Sequence, residues 1–364
     1  MKTIKIIFAV ASIALIVSCS TYYRMVTTLE RDGSAHRDIY ALGDSAFIAG
    51  NSSKNPFLFD LSADWSVSCF TTSIKHNFFG DESELNVKIS KDATYIEQYS
   101  KEMQCSEEVL SLAAPEELLF KKFRWFYTNY SFKAVYKQLQ YEAPVPIGNY
   151  LSEEEQRLWT QGGMNNYKAA NGFEMNDYLS EISNKFIAWY SRNCFEISLA
   201  CIKELATGYD LDMDKENIYK QIHVKDLISD INPQTVCMVL DAFYKTTYFS
   251  ALNKTNKEIL DDAFEIATLP GYFISKVIGY ELVIPGEILH TNAPIINADT
   301  LVWKVDGMRL LFDDYSLTAE YRTINKWAFL LTGLLLILAI GSIILLVRKR
   351  YFYSFGILHL SKKI

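Results

Sequence analysis

Two apolar segments, one near each end of the chain, constrain what the sequence between them can fold into. The segment 327–347 holds 21 residues without a charged side chain and is followed by Arg348-Lys349-Arg350. As a helix rising ~1.5 Å per residue it would be ~31 Å long, which matches the hydrocarbon thickness of a bilayer. The segment therefore predicts a transmembrane helix, and the alternative is a helix buried in the core of a soluble protein.

The first apolar segment, 6–17, is too short to cross a bilayer. It follows a basic start with Lys2 and Lys5 and precedes small residues, which is typical of a secretory signal peptide. The tail 348–364 carries five basic and no acidic residues, so the positive-inside rule places it in the cytoplasm. Residues 19–326 are therefore expected to be extracytoplasmic.

The sequence Ile16-Val17-Ser18-Cys19 resembles the lipobox of bacterial lipoproteins, in which leucine is more usual at the first position. The resemblance implies that residues 1–18 are a lipoprotein signal peptide. It also implies that Cys19 starts the mature chain and carries lipid, a diacylglyceryl group with fatty acids such as palmitate. The lipid at Cys19 and the helix 327–347 would then both hold the folded part against one membrane. In a cell with two membranes, the basic tail favours the inner one.

Two alternatives remain for the N-terminus. The first is an ordinary signal peptide in which Cys19 stands by chance. The second is a eukaryotic membrane protein with one span, in which Cys19 leaves with the signal peptide. Its sequons at Asn51, Asn129 and Asn253 would then be glycosylated.

The charge of the extracytoplasmic part limits its partners. The formal charge is −7, and leaving out the two lysines of the signal peptide and the five basic residues of the tail gives −14 for residues 19–347. Such a charge disfavours binding to nucleic acid. The histidines show no pair at metal-ligand spacing on a helix, and we find no phosphate-binding glycine loop. No metal or cofactor is therefore predicted.

Five cysteines follow Cys19, and their odd number and irregular spacing argue against a disulfide framework. Cys194 and Cys201 fall on one predicted helix, ~10.5 Å apart along its axis, which is too far for a disulfide. We predict that they and Cys237 are small core residues. Cys69 and Cys105 remain a candidate pair.

Alternating side chains predict a hairpin at each end of the folded part. Apolar and polar residues alternate over 21–42 on both sides of Asp32-Gly33, a residue pair that tight hairpin turns favour. Residues 300–321 alternate in the same way around Asp306-Gly307. Because both units are expected to be tethered to the same membrane face, we predict that they lie in one sheet.

A third β segment, 120–136, is rich in β-branched and aromatic residues. It predicts either one long strand or a hairpin through Thr128-Asn129. Arg124, Trp125 and Tyr127 within it are candidate ligand-binding residues, because arginine and aromatic side chains are enriched at recognition sites. Packing in the core explains them at least as well. Both faces are apolar, so we expect the helices to cover one and a partner or the membrane the other.

Between Tyr150 and Pro270 the apolar spacing becomes helical. Ser152 and Glu155 form a capping box, and Asn176 is a candidate cap for a long helix that Gly208 ends. Further helices are predicted from Asn232-Pro233 and from Asn256.

Together these patterns predict an α+β fold with an antiparallel sheet, an inserted helical block and a single C-terminal transmembrane helix. The predicted sheet combines the N- and C-terminal hairpins with the central aromatic strand. The expected divisions are a signal peptide (1–18), a β-rich part (19–149), the helical insert (150–271), a second β-rich part (272–326), the transmembrane helix (327–347) and the basic tail (348–364).

The best candidate for catalysis is Leu42-Gly43-Asp44-Ser45-Ala46, directly after a predicted strand. It resembles the first block of GDSL-type esterases, which implies Ser45 as nucleophile and His290 as base. Against this, the segment 163–166 lacks the acid of the later Gly-x-Asn-Asp block, and Glu287 stands where these enzymes have aspartate. The alternating α/β pattern of that fold is also absent. The chain is therefore more consistent with a protein that does not catalyse.

Asp210, Asp212 and Asp214 copy the first three ligands of a calcium loop. Lys215 stands where that loop needs glycine and Gln221 where it needs glutamate. A solvated acidic turn between helices is the favoured interpretation.

The sequence has an Asp-Gly hairpin at the start, a strand with Arg124-Trp125-Phe126-Tyr127, and a strand with the pattern Trp-x-Val-Asp-Gly (303–307) before the membrane helix. In this arrangement it resembles uncharacterised membrane-anchored lipoproteins of the Bacteroidetes type, which have no known activity. The resemblance implies a lipoprotein of the cell envelope. We expect a binding or scaffold module whose partners are the bilayer and another envelope protein.

Overall fold

The computed structural model describes residues 21–103, 114–139, 141–161, 172–224, 231–268 and 276–360. The predicted signal peptide (1–18), Cys19, Cys105 and the segment 163–166 lie outside the described residues.

Eleven described strands form two sheets. The seven-stranded sheet has the order β3-β4-β2-β1-β7-β10-β9, with bounds β1 Thr21–Leu29, β2 Ala35–Ala41, β3 Ser66–Phe78, β4 Asp81–Ala93, β7 Lys276–Val283, β9 Ile295–Asn297 and β10 Thr300–Asp306. The four-stranded sheet has the order β5-β6-β11-β8, with bounds β5 Glu116–Phe123, β6 Tyr127–Tyr136, β8 Glu287–Thr291 and β11 Tyr315–Ile324. All pairs are antiparallel except β1 with β7, which are parallel.

The α+β class, the antiparallel sheets and the C-terminal apolar helix are confirmed. The N-terminal hairpin forms as predicted, with the side chains of Tyr23, Met25, Thr27 and Leu29 buried and Gly33 in the left-handed region. The strands are divided between two sheets rather than gathered in one. The two inner faces pack on each other, and the stacked rings of Tyr130 and Tyr321 lie in that core with centroids 4.7 Å apart.

The predicted hairpin around Asp306-Gly307 is wrong. β10 lies in the seven-stranded sheet and β11 in the four-stranded sheet, so the segment between them crosses from one sheet to the other. Leu310 and Leu311 in this crossing are buried, and Asp306 accepts hydrogen bonds from the backbone and side chain of Arg309. Burial of these leucines explains why the chain leaves the first sheet instead of turning back along it.

The aromatic segment forms a hairpin, but its turn is not at Thr128-Asn129. β5 and β6 are joined at residues 124–126, where Arg124 N–H donates to the carbonyl of Tyr127 (2.7 Å). The inner face of β6 packs on the seven-stranded sheet, with Phe132 among the buried residues, and not on the helical block as expected.

The helices have the bounds α1 Ser45–Ile48, α2 Glu97–Glu102, α3 Glu153–Gln161, α4 Gly172–Leu205, α5 Leu211–Val224, α6 Pro233–Tyr244, α7 Tyr248–Thr255, α8 Lys257–Ala267 and α9 Lys326–Leu360. The capping box is confirmed, because Ser152 N–H donates to Glu155 Oε2 (2.8 Å). Asn232 caps α6 through Thr235 N–H (2.9 Å). The long helix is described from Gly172, four residues before the predicted cap Asn176, which therefore does not begin it.

Among the described helices, α9 alone is long and apolar enough to cross a membrane, over Lys326–Lys349. None of the most apolar part of this stretch is buried within the protein.

Candidate membrane-interface site

The most distinctive site is the junction between the four-stranded sheet and α9. β11 ends at Ile324 and α9 begins at Lys326, so one residue, Asn325, connects them. The Asn325 side-chain amide donates to the carbonyls of Arg124 (2.8 Å) and Trp125 (3.2 Å). Its side-chain oxygen accepts from Thr128 Oγ1 (3.0 Å), and its backbone N–H donates to the carbonyl of Phe126 (2.9 Å). Asn325 therefore fastens the turn of the β5–β6 hairpin to the start of α9.

Aromatic rings extend this contact along the helix. Trp327 stacks on Phe123 with centroids 6.2 Å apart and meets Trp125 edge to face at 5.4 Å. Phe329 contacts Phe126 at 4.6 Å. We call residues 123–127 the hairpin tip, and its contacts hold it against the first turns of α9.

The indole N–H of Trp125 donates to Thr332 Oγ1 (2.8 Å). Thr332 is the seventh residue of α9, about 9 Å along the helix from its start. Trp125 thus lies beside the part of α9 that is apolar enough to enter a bilayer.

Large apolar surfaces remain exposed at this junction. The exposed fractions are 56% for Phe123, 44% for Trp125 and 52% for Trp327. Phe120, three residues before Phe123 on β5, is 63% exposed. In a water-soluble protein a contiguous apolar patch of this kind marks an interaction site.

The polar side chains at the junction are mostly basic. Lys122, Arg124 and Lys326 are exposed. Arg322 pairs with Glu287 (2.7 Å) and lies over the ring of Tyr127 at 4.7 Å, and the Glu287 carboxylate raises the pKa of Arg322. The negative charge of Glu287 is therefore paired with the positive charge of Arg322.

The structure brings the predicted ligand residues Arg124, Trp125 and Tyr127 together with α9. Sequence reasoning did not identify Asn325, Phe329 or Thr332 as their partners. The available signal was a single polar residue, Asn325, between a strand pattern and an apolar segment. That signal does not reveal which distant turn the asparagine contacts.

The esterase residues are not brought together. Asp44 caps α1 by accepting from Phe47 N–H (2.7 Å), which makes Ser45 the exposed first residue of that helix. Gly43 is required by packing, because a Cβ there would lie 2.6 Å from Val87 Cγ2. Ser45 follows β2 of the seven-stranded sheet, whereas His290 lies on β8 of the four-stranded sheet, opposite Glu320. No hydrogen bond joins His290 to Ser45. The Gly-Asp-Ser motif thus has a complete structural explanation.

The aspartates of the calcium-like sequence do not form a loop between helices, since Asp212 and Asp214 lie in the first turn of α5. Asp210 accepts from Met213 N–H (3.2 Å), Asp212 pairs with Lys203, and Asp214 accepts from Tyr244 O–H (2.9 Å). Within the described part of the chain, no group of three or more metal-ligating side chains could hold a metal ion.

Cys194 and Cys237 are buried, in agreement with the prediction that they are core residues, and Cys201 is partly buried. Burial raises the pKa of the Cys237 thiol to about 12. Cys69 is exposed on β3, and its pairing with Cys105 stays a prediction.

A second cluster of polar side chains lies between the sheets. Arg37 on β2 is fully buried and pairs with Glu117 of β5 (2.6 Å), which also accepts from Tyr280 O–H (2.6 Å). Arg37 also donates to Thr27 Oγ1 (2.9 Å) and lies over the ring of Tyr99 at 4.1 Å. Burial alone would lower the pKa of Arg37, but the adjoining Glu117 carboxylate raises it above its ordinary value. This network joins the two sheets and is closed to solvent.

The start of β1 lies far from the junction. Thr21 pairs with Lys276 and Thr28 with Val283, the last residue of β7. β7 then leads through Gly286 to β8, where Glu287 pairs with Arg322 near the start of α9. The turn after β1 is also near the hairpin tip, since Tyr130 O–H donates to the carbonyl of Arg31 (2.6 Å).

The two ends of β1 therefore lie at opposite ends of the sheet. At about 3.3 Å per residue, Thr21 is about 26 Å along the strand from Leu29. The parallel pairing of β1 with β7 places the start of β1 at the end of the sheet away from α9.

No protein-family model matches this chain, and no curated protein matches it either. Among solved structures, the folded domain of the Mycobacterium tuberculosis LppM protein, determined by NMR, is similar over 84% of this chain and 91% of that chain. The sequence identity is 8% and the TM-score is 0.25. A likeness at this level supports no statement on fold or function.

Proposed function

We propose that this chain is a cell-envelope protein that crosses the membrane once through α9 and carries an extracytoplasmic binding or scaffold module. α9 supplies a stretch of 24 residues suited to a membrane, and the tail 348–364 is basic. The buried groups described above serve packing and capping, so binding is favoured over catalysis.

The observation that carries this proposal is the single-residue connection at Asn325. A flexible linker would let the folded part rotate freely above the membrane. Here Asn325 donates three hydrogen bonds to the hairpin tip and accepts one from Thr128, and together with the ring contacts of Trp327 and Phe329 they fix the sheet to the helix. A module held in this way presents the same surface to a partner at all times.

The surface presented is the helical block, which lies at the end of the sheets away from α9. It follows β6, whose last residue is remote from the hairpin tip, and it packs on the crossing between β10 and β11. Trp189 of α4 contacts Phe312 in that crossing, with centroids 5.9 Å apart. Sixteen acidic and nine basic residues lie between 172 and 268, so the presented surface is acidic. We propose another envelope protein as its partner.

The proposal includes a lipid at Cys19, as the resemblance of residues 16–19 to a lipobox implies. Cys19 is two residues before Thr21, so it reaches only about 7 Å beyond the start of β1. The start of β1 lies about 26 Å along the strand from the end nearer α9, so the lipid and α9 enter one bilayer when the strands run along the membrane surface.

Mass spectrometry of the mature N-terminus, combined with protease digestion of intact cells or spheroplasts, tests this proposal. We expect the mature chain to begin at lipid-modified Cys19, and protease added outside to remove the folded part while sparing 348–364. Digestion of that tail from outside would contradict the orientation. A freely soluble native protein would contradict the membrane assignment altogether.

A further inference from the structure

We infer that the hairpin tip and the start of α9 form a docking surface for the anionic headgroups of the bilayer that α9 crosses. The inference rests on the proposed function, because it requires α9 to span that bilayer. It assigns a ligand class, anionic phospholipid, to the site that holds Arg124 and Trp125.

The depth of the hairpin tip favours lipid over a soluble partner. Trp125 donates to Thr332, about 9 Å along α9 from Lys326. With α9 in a bilayer, this places the indole in the outer part of the membrane, close to the interface where tryptophan side chains are enriched. Phe123, Trp125 and Trp327 stay about half exposed even after packing on one another, so their outer faces are available to lipid.

The charges at the junction complement phosphate groups. Lys122, Arg124 and Lys326 are exposed around the aromatic rings. The carboxylate of Glu287 is held by Arg322, and that of Asp32 accepts hydrogen bonds from Ser34 N–H and Oγ. The rest of the segment 19–347 is strongly acidic, so this cluster of basic side chains at the start of α9 is a local exception. Each basic side chain near an anionic membrane surface strengthens binding by about fivefold.

The same arrangement orients the molecule. The basic junction is drawn towards anionic headgroups. The lipid contact therefore favours the same orientation of the folded part that the Asn325 connection fixes.

The inference can be tested with the full-length protein in nanodiscs that contain phosphatidylcholine mixed with phosphatidylglycerol. Native mass spectrometry would measure the ratio of the two lipids that remain bound when the protein is released. We expect the wild type to retain phosphatidylglycerol preferentially. The double variant Lys122→Glu/Arg124→Glu should lower the ratio of bound phosphatidylglycerol to phosphatidylcholine by at least about tenfold.

Lys133→Glu is the matched control, because Lys133 is exposed on β6 away from the hairpin tip. It should leave the ratio unchanged. Circular dichroism of both variants would verify that they fold. An equal ratio in wild type and double variant, or an equal loss in the control, would overturn the inference. If instead the wild type itself fails to remain in nanodiscs, the proposed function fails.

Discussion

Replacing Glu117 by alanine is expected to lower the free energy of unfolding by about 3–5 kcal/mol, the usual effect of removing one partner of a buried ion pair. The Glu117 carboxylate accepts from both Arg37 and Tyr280 at 2.6 Å, and the Arg37 side chain is fully buried. Without Glu117, a buried guanidinium would keep its charge and lose its counterion. Chemical denaturation of the full-length protein in nanodiscs, followed by tryptophan fluorescence, would measure the change.

Glu116→Ala is the control for this prediction. Glu116 is the neighbouring residue on β5, is exposed, and pairs with Lys137 at 3.4 Å, so its loss should cost at most about 1 kcal/mol. The double variant Arg37→Met/Glu117→Leu should recover most of the stability, because an apolar pair needs no counterion. Equal stability of Glu117→Ala and Glu116→Ala would show that the ion pair does not hold the sheets together.

Gly286→Ala is expected to cost about 3 kcal/mol, at the upper end of the range for overpacking. A Cβ at this position would lie 2.3 Å from the carbonyl oxygen and 2.9 Å from the carbonyl carbon of Arg322. These are backbone atoms of β11, two residues before the strand ends, and they cannot move aside as a flexible side chain would. The same denaturation experiment would measure the loss.

Gly148→Ala provides the comparison, because a Cβ there meets no atom within 4 Å. Its stability should stay within about 0.5 kcal/mol of the wild type. Similar stabilities for the two alanine variants would mean that the close approach of Gly286 to β11 is not needed. The predicted difference follows from the close approach of Gly286, in the link between β7 and β8, to the backbone of β11 at Arg322.

Local patterns in the sequence predicted local structure well. Alternation around Asp32-Gly33 predicted β1 and β2, and Ser152 with Glu155 predicted the start of α3. Both depend on residues a few positions apart, whose interactions the sequence contains. The length and composition of 327–347 likewise predicted a helix suited to a membrane.

Long-range pairing could not be predicted in the same way. β1 pairs with β7, which begins 255 residues later, and no side-chain pattern in either strand indicates that choice. Asp306-Gly307 has the residues of a tight turn, yet the burial of Leu310 and Leu311 directs the chain into the other sheet. The contacts of Asn325 with the hairpin tip depend on such pairing too, since β6 must first lie beside β11.

The most direct test of the fixed junction is the distance distribution between spin labels on the sheet and on the helix. Labels at Lys133→Cys and Leu335→Cys, with Cys69 and Cys105 replaced by serine, would be measured by double electron–electron resonance in nanodiscs. A single narrow distribution is predicted, and it should broaden in the Asn325→Ala variant, which loses the three side-chain hydrogen bonds to the hairpin. A broad distribution in the protein with Asn325 intact would contradict the account.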